Sequence, residues 1–96
     1  MIVMRLRYSQ IELLMFIYSV GVMSVQFFKD HGYSVQSAKT LEKLGLLNFT
    51  PDRVTLGLSD RGMAFCRALH HAIENSRVAE PYNRQYIVQL ASRIAV

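Results

Sequence analysis

Serine punctuates this chain, and that punctuation limits what it can fold into. Ser9, Ser24, Ser34 and Ser59 each stand just before a run whose apolar residues recur at helical spacing. A serine there accepts a hydrogen bond from an otherwise unpaired N–H of the first helical turn, so each marks a helix start. Glycine supplies stops at Gly21, Gly32 and Gly45, where a left-handed residue is wanted. The chain is therefore cut into short helices. No repeat, low-complexity tract or long linker interrupts the succession.

Within that frame, residues 1–7 read as a short β-prone or irregular arm. Ser9 with Glu12 three residues later forms a capping box, and the first helix is expected over residues 10 to about 18. Its apolar residues Ile11, Leu13, Leu14, Met15, Phe16 and Ile17 cover nearly the whole circumference. A helix apolar all round is buried all round, which calls for a partner on one side. Val22 and Met23 suit a very short strand. Ser24 then opens a second helix to about residue 31, with Phe27 and Phe28 on its buried side.

Ser34 caps a third helix over residues 35–44. Val35, Ala38, Leu41 and Leu44 face the core, and Gly45 closes it so that Leu46 folds back on Leu41. Residues 47–50 and 53–58 read as two strands of one hairpin turned by Pro51 and Asp52. Val54, Leu56 and Leu58 alternate there against Thr55 and Gly57. Ser59 caps a fourth helix to about residue 76, with Phe65, Leu69, Ala72 and Ile73 as its inner stripe. Glu80-Pro81 starts a last helix, with Pro81 in the favoured first position and Tyr86, Ile87, Leu90, Ala91 and Ile94 on one face.

Composition sets the class. A chain of 96 residues that is 51% hydrophobic supports one folded domain rather than disorder. A core so small is marginal, which makes dimerisation an early expectation. Lysine and arginine number 11 against 7 acids, for a net charge of +4 and a pI near 9.6. That bias permits nucleic-acid binding without requiring it. The lone Cys66 rules out an intramolecular disulfide and fits a reducing, cytoplasmic location. The apolar run from Leu13 to Met23 covers 11 residues, whereas a membrane span needs roughly 20. Arg5 and Arg7 ahead of that run mimic a secretory leader. Ser9, Gln10 and Glu12 interrupt the approach, and no clean small-x-small site follows.

The order of elements is helix, helix, helix, hairpin, helix, helix. The second and third helices are joined by about three residues that include Gly32. That is a helix-turn-helix pattern. Two segments carry a likeness to a known family. Leu41-Glu42-Lys43-Leu44-Gly45-Leu46-Leu47 is similar to the end of a recognition helix. Val54-Thr55-Leu56-Gly57-Leu58-Ser59-Asp60-Arg61-Gly62 is similar to a wing strand followed by Leu-Ser/Thr-x-x-Gly. On these two motifs, over about residues 9–75, the chain resembles winged-helix (winged helix-turn-helix) DNA-binding regulators of bacterial or phage type.

The resemblance implies a mainly α fold with a small β-hairpin: a three-helix core, one wing, and two C-terminal helices within a single domain spanning residues 1–96. The last helix, about residues 81–94, would be available for dimerisation. It implies a sequence-specific transcription regulator that binds double-stranded DNA as a homodimer. The third helix, residues 35–44, would enter the major groove, and the hairpin, residues 47–58, would follow the backbone. By position, Gln36, Ser37, Lys39, Thr40 and Lys43 would face the groove, with Gln36 addressing an adenine and Lys39 a guanine or a phosphate. Arg53 near the hairpin tip would meet phosphate or the minor groove, and Arg5 and Arg7 would form a flanking arm.

Other chemistry finds little support. His70 and His71 diverge by about 100° on a helix and do not converge on a metal. Cys66 and His70 are one turn apart but lack a second pair of ligands. Ser24, Ser34 and Ser59 are accounted for as caps, and Asp30-His31 as a helix end. No glycine-rich phosphate loop exists. Neither an enzyme nor a cofactor or metal is expected. The alternative to DNA is a winged-helix module that binds another protein, such as a phage or mobile-element factor that captures a host protein. Charge geometry discriminates. DNA gains if Lys39, Lys43, Arg53 and the Arg5/Arg7 arm line one face. The protein reading gains if Glu42 and Asp52 break that face while Arg67, Arg77, Arg84 and Arg93 lie elsewhere.

Overall fold

A computed structural model of the chain describes residues 5–95. It is mainly helical, with five helices and a small antiparallel sheet among those residues. The elements run α1 (Tyr8–Val20), β1 (Met23–Ser24), α2 (Val25–Asp30), α3 (Val35–Lys43), β2 (Leu47–Phe49), β3 (Thr55–Leu58), α4 (Asp60–Glu74) and α5 (Arg84–Ser92). The first four residues of the expected N-terminal arm lie outside the described residues.

Local capping accounts for most helix starts. The Ser24, Ser34 and Ser59 side chains accept from the backbone N–H groups of Phe27, Ser37 and Gly62. The end of α3 is a Schellman motif. Leu46 N–H donates to Leu41 O and Gly45 N–H to Glu42 O, with Gly45 left-handed at φ 81°.

Two helix starts differ from the sequence pattern. The cap of α1 is Arg7, not Ser9, and its N–H donates to the Gln10 side-chain oxygen at 2.8 Å. Buried Leu6 and the half-buried Tyr8 ring, which carries the Arg84 guanidinium 5.0 Å from its centroid, draw the chain into the core before Ser9 is reached. The last helix starts at Arg84 rather than beside Pro81. Asn83 caps it by accepting from Tyr86 N–H, and the preceding turn is closed by Asn83 N–H donating to Glu80 O.

The sheet is larger than one hairpin. Its order is β1-β3-β2, with Met23 opposite Leu56 and Leu47 opposite Leu58. Strand β3 also begins two residues later than the alternation suggests. Val54 is exposed, although its carbonyl still accepts from Val25 N–H at 2.7 Å. Gly57, expected to face solvent, is buried. A Cβ there would stand 3.1 Å from a Val22 methyl, so the side chain ahead of β1 covers it.

One continuous core runs from Leu6 to Ala91, with Phe28, Leu41, Leu46 and Phe65 at its centre. Helix α1 threads it. Ile11, Leu13, Leu14 and Ile17 are buried among α3, β3, α4 and α5 of the same chain. The apolar circumference of α1 is covered on one side by α5, whose Ile87 and Ala91 are buried. In α3, Ala38 and Leu41 are fully buried but Val35 is only half-buried and Leu44 is exposed. A three-residue spacing falls about 60° short of a full turn per step, so the ends of such a stripe rotate off the core.

Candidate functional site

The α3 helix and the hairpin after it carry six of the eight predicted site residues, Gln36, Ser37, Lys39, Thr40, Lys43 and Arg53. At about 100° per residue, Gln36, Lys39, Thr40 and Lys43 share one stripe opposite Ala38 and Leu41, and all four are exposed. Thr40 Oγ1 donates to Gln36 O and so lies along the helix. Lys39 and Lys43 make no hydrogen bond or ion pair among the described residues, so their ammonium groups are available.

Ser37 stands apart from that stripe. It is half-buried on the flank toward α1, where it lines a cavity of about 340 Å³ with Ser9, Glu12, His31, Tyr33 and Ser34. Burial and then the Glu12 carboxylate push the Tyr33 phenol pKa above its ordinary value, so Tyr33 stays neutral in that cleft.

The hairpin tip is rigidly tied. Thr50 Oγ1 donates to Asp52 at 2.6 Å, Val54 N–H donates to Asp52 at 3.1 Å, and Thr50 N–H donates to Thr55 O at 2.9 Å. The Thr50 hydroxyl, then the Val54 N–H, holds the Asp52 carboxyl below its usual pKa, so the tip keeps a negative charge. Arg53 follows with left-handed backbone, φ 63°, an uncommon state for a residue with a Cβ. Its Nη1 donates to both oxygens of Glu42 at 2.9 and 3.0 Å, and its guanidinium lies 5.1 Å from the Phe49 ring centroid. The side chain is thus folded toward α3.

The structure brings Gln36, Lys39, Thr40 and Lys43 together, with Arg53 at their edge, but not the other cations. Arg5 and Arg7 are exposed, and Arg5 borders Val88 and Ser92 of α5 instead of α3. Arg67 lies on α4, Arg84 sits on Tyr8, and Arg93 ends α5. Three residues beyond the predicted site residues shape the surface. Glu42 and Phe49 hold Arg53, and Arg61 reaches back from α4 to donate to the Leu44 carbonyl at 3.2 Å. Of these, only Glu42 stood out in the sequence, as an acid expected to break the basic face.

Elsewhere, Cys66 is buried with its thiol donating to Leu14 O, and burial pushes its pKa up to about 12. His70 pairs with Glu74 at 2.9 Å. Among the described residues, no three or more His, Cys, Asp or Glu side chains stand together as a metal site would need, and no helix is long and apolar enough to cross a membrane. Comparison with protein-family models, curated proteins and solved structures finds no match.

Proposed function

We propose that the chain is a winged-helix DNA-binding regulator, with α3 as the recognition helix and the β2–β3 hairpin as the wing. One observation carries the reading. The stripe of Gln36, Lys39, Thr40 and Lys43 is exposed and its two ammonium groups are unpaired, on the second helix of a helix–turn–helix and directly beside a hairpin. Amide and ammonium side chains at that position suit hydrogen bonding to base edges and phosphates in the major groove. Regulation would follow from occupying a promoter or operator, and the reading goes with a cytoplasmic location. Binding as a homodimer would offset the small number of cations per copy.

The test is fluorescence anisotropy on random duplex DNA across a salt series. Two phosphate contacts per copy give a slope of log K against log salt of about −1.8 for a monomer and about −3.6 for a dimer. Lys39→Ala and Lys43→Ala each remove about 0.9 per copy. Absence of binding at low salt would sink the proposal.

A second reading has its own observation. Charge geometry favours it: Glu42 neutralises Arg53, the one cation of the hairpin, Asp52 keeps its charge at the tip, and Arg5, Arg67, Arg84 and Arg93 lie away from that face. A face of mixed charge suits a protein partner, such as a host protein captured by a phage or mobile-element factor. Under this reading the chain leaves DNA unbound, and Lys39→Ala changes the affinity for that partner instead.

A further inference from the structure

Glu42 has no part in the DNA reading above, yet it governs the hairpin's only cation. Three restraints draw the Arg53 guanidinium toward α3. These are the two contacts from Nη1 to the Glu42 carboxylate at 2.9 and 3.0 Å, the Phe49 ring beneath it, and the left-handed backbone at Arg53. Glu42 sits on the flank of α3 nearest the hairpin, one position from Lys43 of the open stripe. A phosphate approaching Arg53 must therefore compete with a carboxylate already in place and also meet its negative charge.

We propose that Glu42 is a selectivity-determining residue. It withholds Arg53 from the phosphate backbone and so suppresses non-specific binding, while Lys39 and Lys43 remain free to engage. This rests on the DNA reading. The competing quantities are of similar size, which is what makes the device effective. An exposed ion pair holds its partner only a few-fold. One phosphate contact, at a slope of about −0.9, is worth about eight-fold at 0.1 M salt. A carboxylate at this position therefore removes a few-fold of what Arg53 can add to binding.

The experiment is a cycle of four full-length proteins: wild type, Glu42→Gln, Arg53→Ala, and both together. Each is titrated against random duplex DNA from about 0.05 to about 0.3 M salt. The glutamine keeps the shape of Glu42 and removes its charge. Glu42→Gln should raise affinity a few-fold at about 0.1 M salt, the hold of the pair it removes, and steepen the slope by no more than about 0.9. Arg53→Ala should cost less in the wild type than in the Glu42→Gln background, where it should abolish that gain. Equal losses from Arg53→Ala in both backgrounds overturn the inference and leave the DNA reading standing. So does an affinity gain from Glu42→Gln that survives Arg53→Ala, because that would be a general charge effect. No binding by any of the four at low salt overturns the DNA reading and this inference with it.

Discussion

Replacing Gly62 by alanine tests whether the close approach of α4 to the end of α3 organises this fold. Gly62 is the third residue after Ser59. Its N–H donates to Ser59 Oγ at 3.0 Å, and the Ser59 hydroxyl in turn donates to Gly45 O. A Cβ on Gly62 would fall deep inside the envelope of the Leu46 carbonyl oxygen and 3.0 Å from its carbon. Ordinary contact between such carbon and oxygen atoms begins at about 3.3 Å, so α4 must back away from a backbone that cannot yield by a rotamer change. That movement strains the bond from Ser59 N–H to Leu46 O, 3.1 Å long. Its loss costs about 1 kcal/mol, and overpacking adds about 1–3 kcal/mol. The helix preference for alanine over glycine returns about 1 kcal/mol. The net loss is about 2 kcal/mol, or a fall in Tm of about 8–16 °C for a chain this size. Thermal and urea unfolding followed by far-UV circular dichroism measure it. Gly32→Ala is the control, since its φ of 85° imposes strain but a Cβ there meets open space, for a cost of about 1 kcal/mol. A Gly62→Ala protein that melts with the wild type would refute the close-approach argument.

Other perturbations follow from the same packing. Phe28→Ala empties the centre of the core and should cost about 3–5 kcal/mol, read as a lower urea midpoint with an unchanged slope. Asn83→Ala removes the cap of α5 and should cost about 1 kcal/mol; hydrogen exchange should quicken at the start of α5 before it does in α4. The Cys66 thiol should resist a disulfide reagent at pH 8 until urea unfolds the chain, and rapid labelling of the folded protein would contradict its burial. Because the folded thiol holds its proton to about 12 against 9.0 when free, its contribution is complete below pH 9.0 and lost as pH rises through about 12. Cys66→Ala should flatten that part of the stability profile.

What could be read along the chain was what short-range chemistry decides. Ser24, Ser34 and Ser59 cap helices because the hydroxyl and the N–H it satisfies lie three residues apart. Gly45 ends α3 because a left-handed residue is needed there, whatever packs around it. The same locality brings Gln36, Lys39, Thr40 and Lys43 onto one stripe. Where a local rule competed with packing, packing won. Ser9 satisfied a capping pattern, yet buried Leu6 pulled the start of α1 forward to Tyr8. At Pro81 one local rule lost to another, since the Asn83 side-chain oxygen, three residues before Tyr86, captured the first turn of α5.

The rest depended on residues that meet only after the chain has closed on itself. The short strand expected at Val22 and Met23 forms one residue later, at Met23–Ser24, because β3, some thirty residues on, supplies its partners; two residues alone do not say what they pair with. Nothing in the apolar circumference of α1 tells whether its second cover is another copy or α5, because burial has no direction in sequence. Arg53 and Glu42 are eleven residues apart, and their pairing needs both the Gly45 reversal and the left-handed turn at Arg53. Spacing along the chain thus determined where α2, α3 and α4 begin and which side chains share a face. Tertiary closure alone decided which charges on that face stay free, since an ion pair depends on distance in space.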